Sequence, residues 1–545
     1  MTVLRSSDEI RHDYDCCVVG AGPVGLAFAM EAAESGLRVL LVDAGNAKSG
    51  QHDVDQRGMP LTEIVDGVRH APVEQIVRRG IGGTSSLWGG RCVAFEPIDF
   101  EQRDYIPGGA WPISFGDLSP WFDAAARLLD CGEGRFRAES PVWSGLSGIE
   151  TTQLERWSRQ PKLAPRLGAQ VLAHSDISVL TDAVLTDVEF DAGGSVSSVV
   201  VEKEGALLRL AARDYVLAMG GLEITRLLLG LQRANPCAFG GVDGPLGRYY
   251  MGHATGSIAQ IVLTDPESAA AFDFERDRRD TYIRRRITLS GQAQRCHRVL
   301  NTSFYLDNPP FYEYRHRSPT LSLVFIGLAL PPIGRRLLAE AIRLRHIGPP
   351  PFRIGAHIAN VLRRPWRAAT DVAGILRHRY LSAVRKPGFV LRTEEGRYAL
   401  HYHAEQLPNP DSRMTMRSGG TGAPVLTIDY RYLEADFDSL LRCHQLLDEQ
   451  LRSSKIGLLE YVSADPGELR ASAWAQAIDG FHSIGTTRMS VDPADGVVDR
   501  DCRVHGTSNL YIASSSVFRT AGEANPTFMT ACLAVRLAHH LAEKR

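Results

Sequence analysis

Residues 14 to 45, YDCCVVGAGPVGLAFAMEAAESGLRVLLVDAG, decide the fold. Tyr14 to Val19 form an apolar run of buried-strand length, and Gly20-Ala-Gly22-Pro23-Val-Gly25 follows at once. LAFAMEAAES then carries helical periodicity up to Gly36, and LRVLLV restores a strand pattern that ends at Asp43. Strand, glycine turn, helix and strand in this order are the context that makes a G-x-G-x-x-G spacing specific for a dinucleotide. Gly20 gives the tight turn, Gly22 lets the backbone approach a pyrophosphate, and Gly25 allows close helix-strand packing. The helix start at Pro23 offers unpaired N–H groups to the phosphates. Asp43, about 20 residues on, is placed to accept from ribose hydroxyls.

The composition limits the alternatives. At 545 residues with 23% charged residues, the chain is long enough for a large core without disulfides or metals. A net charge of −2 provides no field for a polyanion, so nucleic acid is not an expected partner. The nine cysteines are scattered and lack metal-ligand or haem spacing, so no metal centre is expected. The polar start, MTVLRSSDEIRHDYD, leaves no room for a signal region, and no apolar run approaches the ~20 residues of a membrane span. A cytoplasmic protein is the expectation.

A second glycine-rich stretch covers Arg78-Arg79-Gly-Ile-Gly-Gly83-Thr84-Ser85-Ser86-Leu87-Trp88-Gly89-Gly90-Arg91. It is too rich in glycine for a helix or central strand, and reads as a loop lying along a flat ligand. On these residues the chain resembles the glucose-methanol-choline oxidoreductases, whose N-terminal flavin loop has the form GxGGxSxxxGG. The resemblance continues in VLAMGGLEITRLLL (216–229) and is strongest in DGFHSIGTTRM, DGVVDRDCRVHGTSNLYIASSSVF and GEANPTFMTACLAVRLAHHL, from 479 onward. It implies an α/β fold: a Rossmann-like FAD-binding domain of the p-hydroxybenzoate-hydroxylase-like kind, interleaved with a sheet-based α+β substrate domain. It places Arg79, Gly83, Thr84, Ser85, Ser86, Trp88, Gly89 and Gly90 on the cofactor, with Val184 and Ala218 beside the adenosine. Where sugar-oxidising relatives link FAD covalently through a His, this chain has Leu87, which implies non-covalent FAD. Ser514, followed by Ser515, stands where some members have an Asp against the ribityl chain.

Oxidising an alcohol with a flavin requires a hydride to reach the flavin N5 while the hydroxyl proton leaves, so a base must sit above the flavin. In the family that base is the His of H-x-x-G-T-x-x-M, matched by His482, Gly485, Thr486 and Met489. A second His or Asn follows 43 residues later, and Asn525 falls at that spacing, as a hydrogen-bond partner for the substrate oxygen. Asn525 before Pro526 is also a good turn initiator on local grounds. A helix beginning around Pro526 and Thr527 would aim its dipole at the pyrimidine edge of the flavin.

On the substrate side, Tyr398 to Gln406 reads as a strand with His401, His403 and Glu405 on one face, which suits a polyhydroxylated substrate and equally a face turned to solvent. The flavin domain is expected to gather 1–110, 178–250 and 495–545, and the substrate domain 111–177 and 251–494. Residues 331–386 form a basic insertion that reads as short amphipathic helices, packed on the protein itself or in peripheral contact with a membrane. The expected activity is oxidation of an alcohol, a carbohydrate or glycoside first. A hydrophobic or lipid-linked alcohol and a non-redox lyase are the alternatives, and oxygen, a quinone or a redox protein is the acceptor.

Overall fold

The computed structural model describes residues 4, 10, 11, 13–46, 61–337, 346–348, 350–418 and 424–545. The strand Tyr14–Val19 is the middle of a five-stranded sheet, between Ala212–Leu217 and Val39–Val42, with Leu510–Ile512 and Ile177–Leu180 at the edges. All four pairings are parallel. Tyr14–Val19 and Val39–Val42 are buried along their whole length, which is why they read as continuous apolar runs: a parallel sheet covered on both faces has no polar side. The helices Pro23–Glu34 and Thr527–Glu543 pack against each other, so the two ends of the sequence meet in one layer.

A second sheet of six strands runs in the order Gly457–Tyr461, His253–Leu263, Arg397–Glu405, Thr302–Asp307, Ile287–Leu289 and Ile149–Glu150, antiparallel throughout. Its two faces differ. Phe304 and Tyr402 meet His444 of the helix Glu434–Ser453, which covers one face. The alternate residues His401, His403 and Glu405 point to the other face, as the period of two requires.

The sheets are woven together more closely than the sequence division suggests. Leu61–Ile64 pairs in parallel with Pro424–Asp429, and Arg91–Cys92 pairs with Leu154–Trp157, so parts of 1–110 belong to sheets outside the dinucleotide layer. The insertion leaves the second sheet after Thr302–Asp307 and returns at Arg397–Glu405, with helices Pro319–Ala329, Pro331–Leu337, Ile354–Arg363 and Pro365–Leu376; its residues 338–345 and 349 lie outside the described residues. Among the described residues, no helix is long and apolar enough to cross a membrane.

Glu405 anchors the end of its strand. Its two oxygens accept from Arg103 Nη1 and Nη2 at 2.7 and 2.6 Å, and Oε2 also accepts from the Asn301 backbone N–H at 2.9 Å. Both side chains are buried. Removing one partner strands the other charge in the interior, a loss of about 3–5 kcal/mol. Arg103→Met is therefore expected to lower the unfolding free energy from urea titration by that amount, seen as a lower midpoint, while an unchanged midpoint would assign the pair no structural role.

Candidate active site

The first glycine turn is as tight as its spacing predicts. Gly20 has φ +108°, and a Cβ there would stand 2.6 Å from the Ala218 carbonyl oxygen. A Cβ on Gly25 would stand 1.8 Å from the Gly20 carbonyl oxygen, so this helix can approach the strand only with hydrogen at that position. At Gly22 nothing lies within 4 Å of a Cβ, because the residue faces an open cleft. The cleft encloses about 1330 Å³, counting the space at its mouth, and runs from Gly20, Gly22 and Pro23 to His482. Asp43, Arg79, Gly83, Thr84, Val184, Ala218, Ser514, Ser515, Pro526 and Thr527 also line it. Two helix N-termini thus open on one cavity, at Pro23 and Thr527. The donor set and the bare backbone at Gly22 fit a dinucleotide diphosphate.

Asp43 has a second task in this structure. Its Oδ1 accepts from the Gly45 and Gly80 N–H groups at 2.8 and 2.6 Å, and its Oδ2 accepts from Ala21 at 2.7 Å. Burial pushes its carboxyl up from the usual range, against the pull of the three N–H donors. The carboxylate ties both glycine loops together, and Oδ2 keeps capacity for one further donor such as a ribose hydroxyl.

The rest of the second loop is braced by its own hydrogen bonds. Ser85 and Ser86 Oγ donate to the Gly82 and Gly83 carbonyls at 2.6 and 3.0 Å, closing a 3-10 turn. Trp88 Nε1 donates to the Pro161 carbonyl, and Gly90, at φ +79°, packs on the Pro161 ring. Gly83 and Thr84 line the cavity, and the hydrogen bonds of Ser85, Ser86 and Trp88 hold the turn that carries them.

His482 lies at the far end of the cleft, held on both ring nitrogens. Nδ1 is 3.0 Å from Asp479 Oδ2, and Nε2 is 3.2 Å from Asn525 Nδ2. An amide N–H can only donate, so Nε2 carries the lone pair and Nδ1–H donates to the carboxylate. His253 Nδ1 stands 3.1 Å from His482 Nδ1 and 3.6 Å from Asp479 Oδ2. Asp479 also accepts from the backbone N–H groups of His253, Phe481 and His482. Burial opposes its charge, yet the His482 and His253 rings hold its carboxyl far below the usual carboxylate range. Burial pushes the His253 imidazole down, towards the neutral form. The ligand atoms of His253, Asp479 and His482 lie within 4.8 Å of one another, close enough for a metal. The hydrogen bonds just described account for that grouping without one.

The polar strand divides. His403 is buried, with Nδ1–H donating to the Glu523 carbonyl and its ring 6.4 Å from that of His482. His401 is partly exposed and stacks on Tyr305. Glu405 is already committed to Arg103, so the expectation that it meets substrate is corrected: its acceptors hold the fold. Sequence reasoning missed Asp479 and His253, although Asp479 lies three residues before His482 in the same quoted segment. It also missed Arg286, fully buried and paired with Glu523. Its pairing with Glu523, whose carbonyl accepts from His403, links Arg286 to the centre.

Gly25→Ala is expected to yield protein that has lost most of its bound flavin, read from the ratio of flavin to protein absorbance. Full loading would show that the close helix-strand contact is dispensable.

Comparisons with known proteins agree with this geometry. A family profile described as "FAD dependent oxidoreductase" matches residues 15–288, half of the chain, and one described as "GMC oxidoreductase" matches 408–534. The 2-methyl-1,2-propanediol dehydrogenase of Mycolicibacterium austroafricanum is 19% identical, over 97% of this chain and 95% of its own. The fructose dehydrogenase large subunit of Gluconobacter japonicus is 21% identical, over 96% and 97%. Pyridoxine 4-oxidase from Mesorbium loti shares the fold, with a TM-score of 0.51 at 16% identity over 97% of this chain and 99% of that one. The two profiles fall on the two glycine loops and on the His482–Asn525 segment, and the chain belongs to the FAD-dependent glucose-methanol-choline oxidoreductases.

Proposed function

We propose that the chain oxidises a hydroxyl of a polar, polyhydroxylated alcohol, a carbohydrate or glycoside, to a carbonyl, with His482 Nε2 as the proton acceptor. The observation that carries this reading is the hydrogen-bond chain Asp479–His482–Asn525. In this reading the ring donates from Nδ1 to Asp479 and keeps Nε2, on the Asn525 side, as the acceptor. A carbinol hydroxyl taking the place of the amide N–H would lose its proton to Nε2, and Asn525 would hold the oxygen. The ionised Asp479 balances the charge that the ring then acquires. FAD bound in the cleft supplies the acceptor for the two electrons leaving the carbinol carbon.

The substrate class rests on the sheet face beyond His482. The ladder register sets Thr288, Ser303, His403 and Thr255 side by side across four strands. Beside them, Arg286 Nε and Nη2, Glu523 Oε2, Thr288 Oγ1 and Ser303 Oγ are buried without a hydrogen-bond partner among the described residues. A buried polar group left unpaired costs about 1–3 kcal/mol, so a cluster of them suits a ligand rich in hydroxyls. These atoms are closed off from the cleft, so a ligand would reach them only where this face opens, with Arg286 then donating to one hydroxyl and Glu523 accepting from its neighbour. Two relatives carry the names of a vicinal diol and a sugar as substrates, which favours the same class.

Stopped-flow mixing of the holoenzyme with sugars, glycosides and apolar alcohols, without oxygen, should bleach the flavin with the first two groups. Re-oxidation by oxygen, a quinone or a redox protein then identifies the acceptor. Cleavage of a substrate with no bleaching by any alcohol would overturn the reading in favour of a lyase. His482→Ala and Asp479→Asn should each slow flavin reduction roughly 10²-fold or more while leaving the flavin spectrum intact. Wild-type reduction in either would move the base elsewhere.

Leu87 cannot bond to a flavin, so FAD is held non-covalently in this reading. Acid precipitation should release all the flavin into the supernatant; a yellow pellet would show a covalent link from another residue.

A further inference from the structure

The helix Ile354–Arg363 turns its polarity inside out, and Pro365–Leu376 follows it directly. On the first, the buried residues are His357 and Asn360. His357 lies 3.1 Å from Ser322 Oγ through Nδ1 and 3.2 Å from the Tyr312 carbonyl through Nε2, and Asn360 Nδ2 donates to the Tyr314 carbonyl at 2.7 Å. The apolar residues face out. Ile354, Ile358 and Leu362, spaced four apart on one face, are 42%, 45% and 70% exposed, and Trp366 in the first turn of the second helix is 83% exposed. A helix resting on its own protein buries such a stripe and sends its polar side to water. Here the polar side is already satisfied by Ser322, Tyr312 and Tyr314.

The surrounding charge is mainly positive. Residues 350–386 contain eight Arg and Lys against the single Asp371, and Arg353, Arg363, Arg364 and Arg377 are exposed around the stripe. Some of these cations have partners in the chain: Arg364 and Arg367 pair with Glu394, and Lys386 with Asp273. The excess positive charge stays with the apolar face. A second copy meeting this face by two-fold symmetry would bring the same arginines against each other, and like charges across an interface oppose docking. An anionic lipid surface supplies both missing components, acyl chains for the leucine, isoleucine and tryptophan side chains and headgroup charge for the arginines. No described helix crosses a membrane, so the contact is peripheral.

We propose that Ile354, Ile358, Leu362 and Trp366, framed by Arg353, Arg363, Arg364 and Arg377, dock this protein on an anionic membrane surface. The holoenzyme is sedimented with vesicles of phosphatidylcholine mixed with phosphatidylglycerol, and with vesicles of phosphatidylcholine alone. Wild type should bind the mixed vesicles and not the neutral ones. Leu362→Ser/Trp366→Ser should bind them ~10-fold less, with flavin content and melting temperature unchanged. Arg353→Glu/Arg363→Glu should lose binding while keeping the stripe intact. Failure of wild type to bind, or equal binding by wild type and the Leu362→Ser/Trp366→Ser variant, would overturn the proposal. A wild-type dimer in sedimentation velocity that the same variant dissociates, with no vesicle binding, would assign the face to a second copy instead.

Discussion

Three backbone N–H groups converge on the buried carboxylate of Asp43, and the cleft takes its shape from that convergence. Ala21 lies in the first glycine turn, Gly45 just past the second strand, and Gly80 at the entry to the second glycine loop. Each loop is rich in glycine and could adopt many paths. A single acceptor bonded to all three removes that freedom and holds Gly83 against Gly22, where a Cβ on Gly83 would come within 2.9 Å of the Gly22 Cα. The wall built this way is bare backbone, which is what close approach to a diphosphate needs.

The same device recurs at the reacting end. Asp479 is buried and accepts from three backbone N–H groups and from the His482 ring, so the loop that carries the base is organised around a charge. The His482 and His253 rings keep the carboxylate ionised despite burial. Its position three residues before His482 lets one loop supply both the acceptor and the ring, while His253 arrives from the second sheet and Asn525 from the start of the final helix. Three segments of the chain thus meet at one imidazole. The neighbouring sheet face, with Arg286 and Glu523 beside His403, extends this polarity beyond the base.

The strand-turn-helix-strand unit was legible because each of its features is local. Burial of the strands on both faces gives unbroken apolar runs, and the steric demands at Gly20 and Gly25 leave no alternative to glycine. His482 and Asn525 were legible only through a family pattern, since nothing in their spacing of 43 residues brings them together. For the strand at 397–405 the alternation was legible, yet nothing local marked which polar residue was already taken. Glu405 looked like its neighbours His401 and His403 until Arg103, some 300 residues away, was seen to occupy both its oxygens.

By itself the sequence determined the dinucleotide layer and the order of its elements and singled out His482 as the candidate base, because those depend on periodicity, glycine sterics and short motifs. The tertiary structure alone decided which charges face which. Asp43 was turned on the loops, Glu405 on Arg103, Asp479 on His482 and the polar side of Ile354–Arg363 on Ser322, Tyr312 and Tyr314. A carboxylate or an imidazole bonds to whatever donor or acceptor the folded chain brings within about 3 Å, and that distance is set by packing between segments remote in sequence.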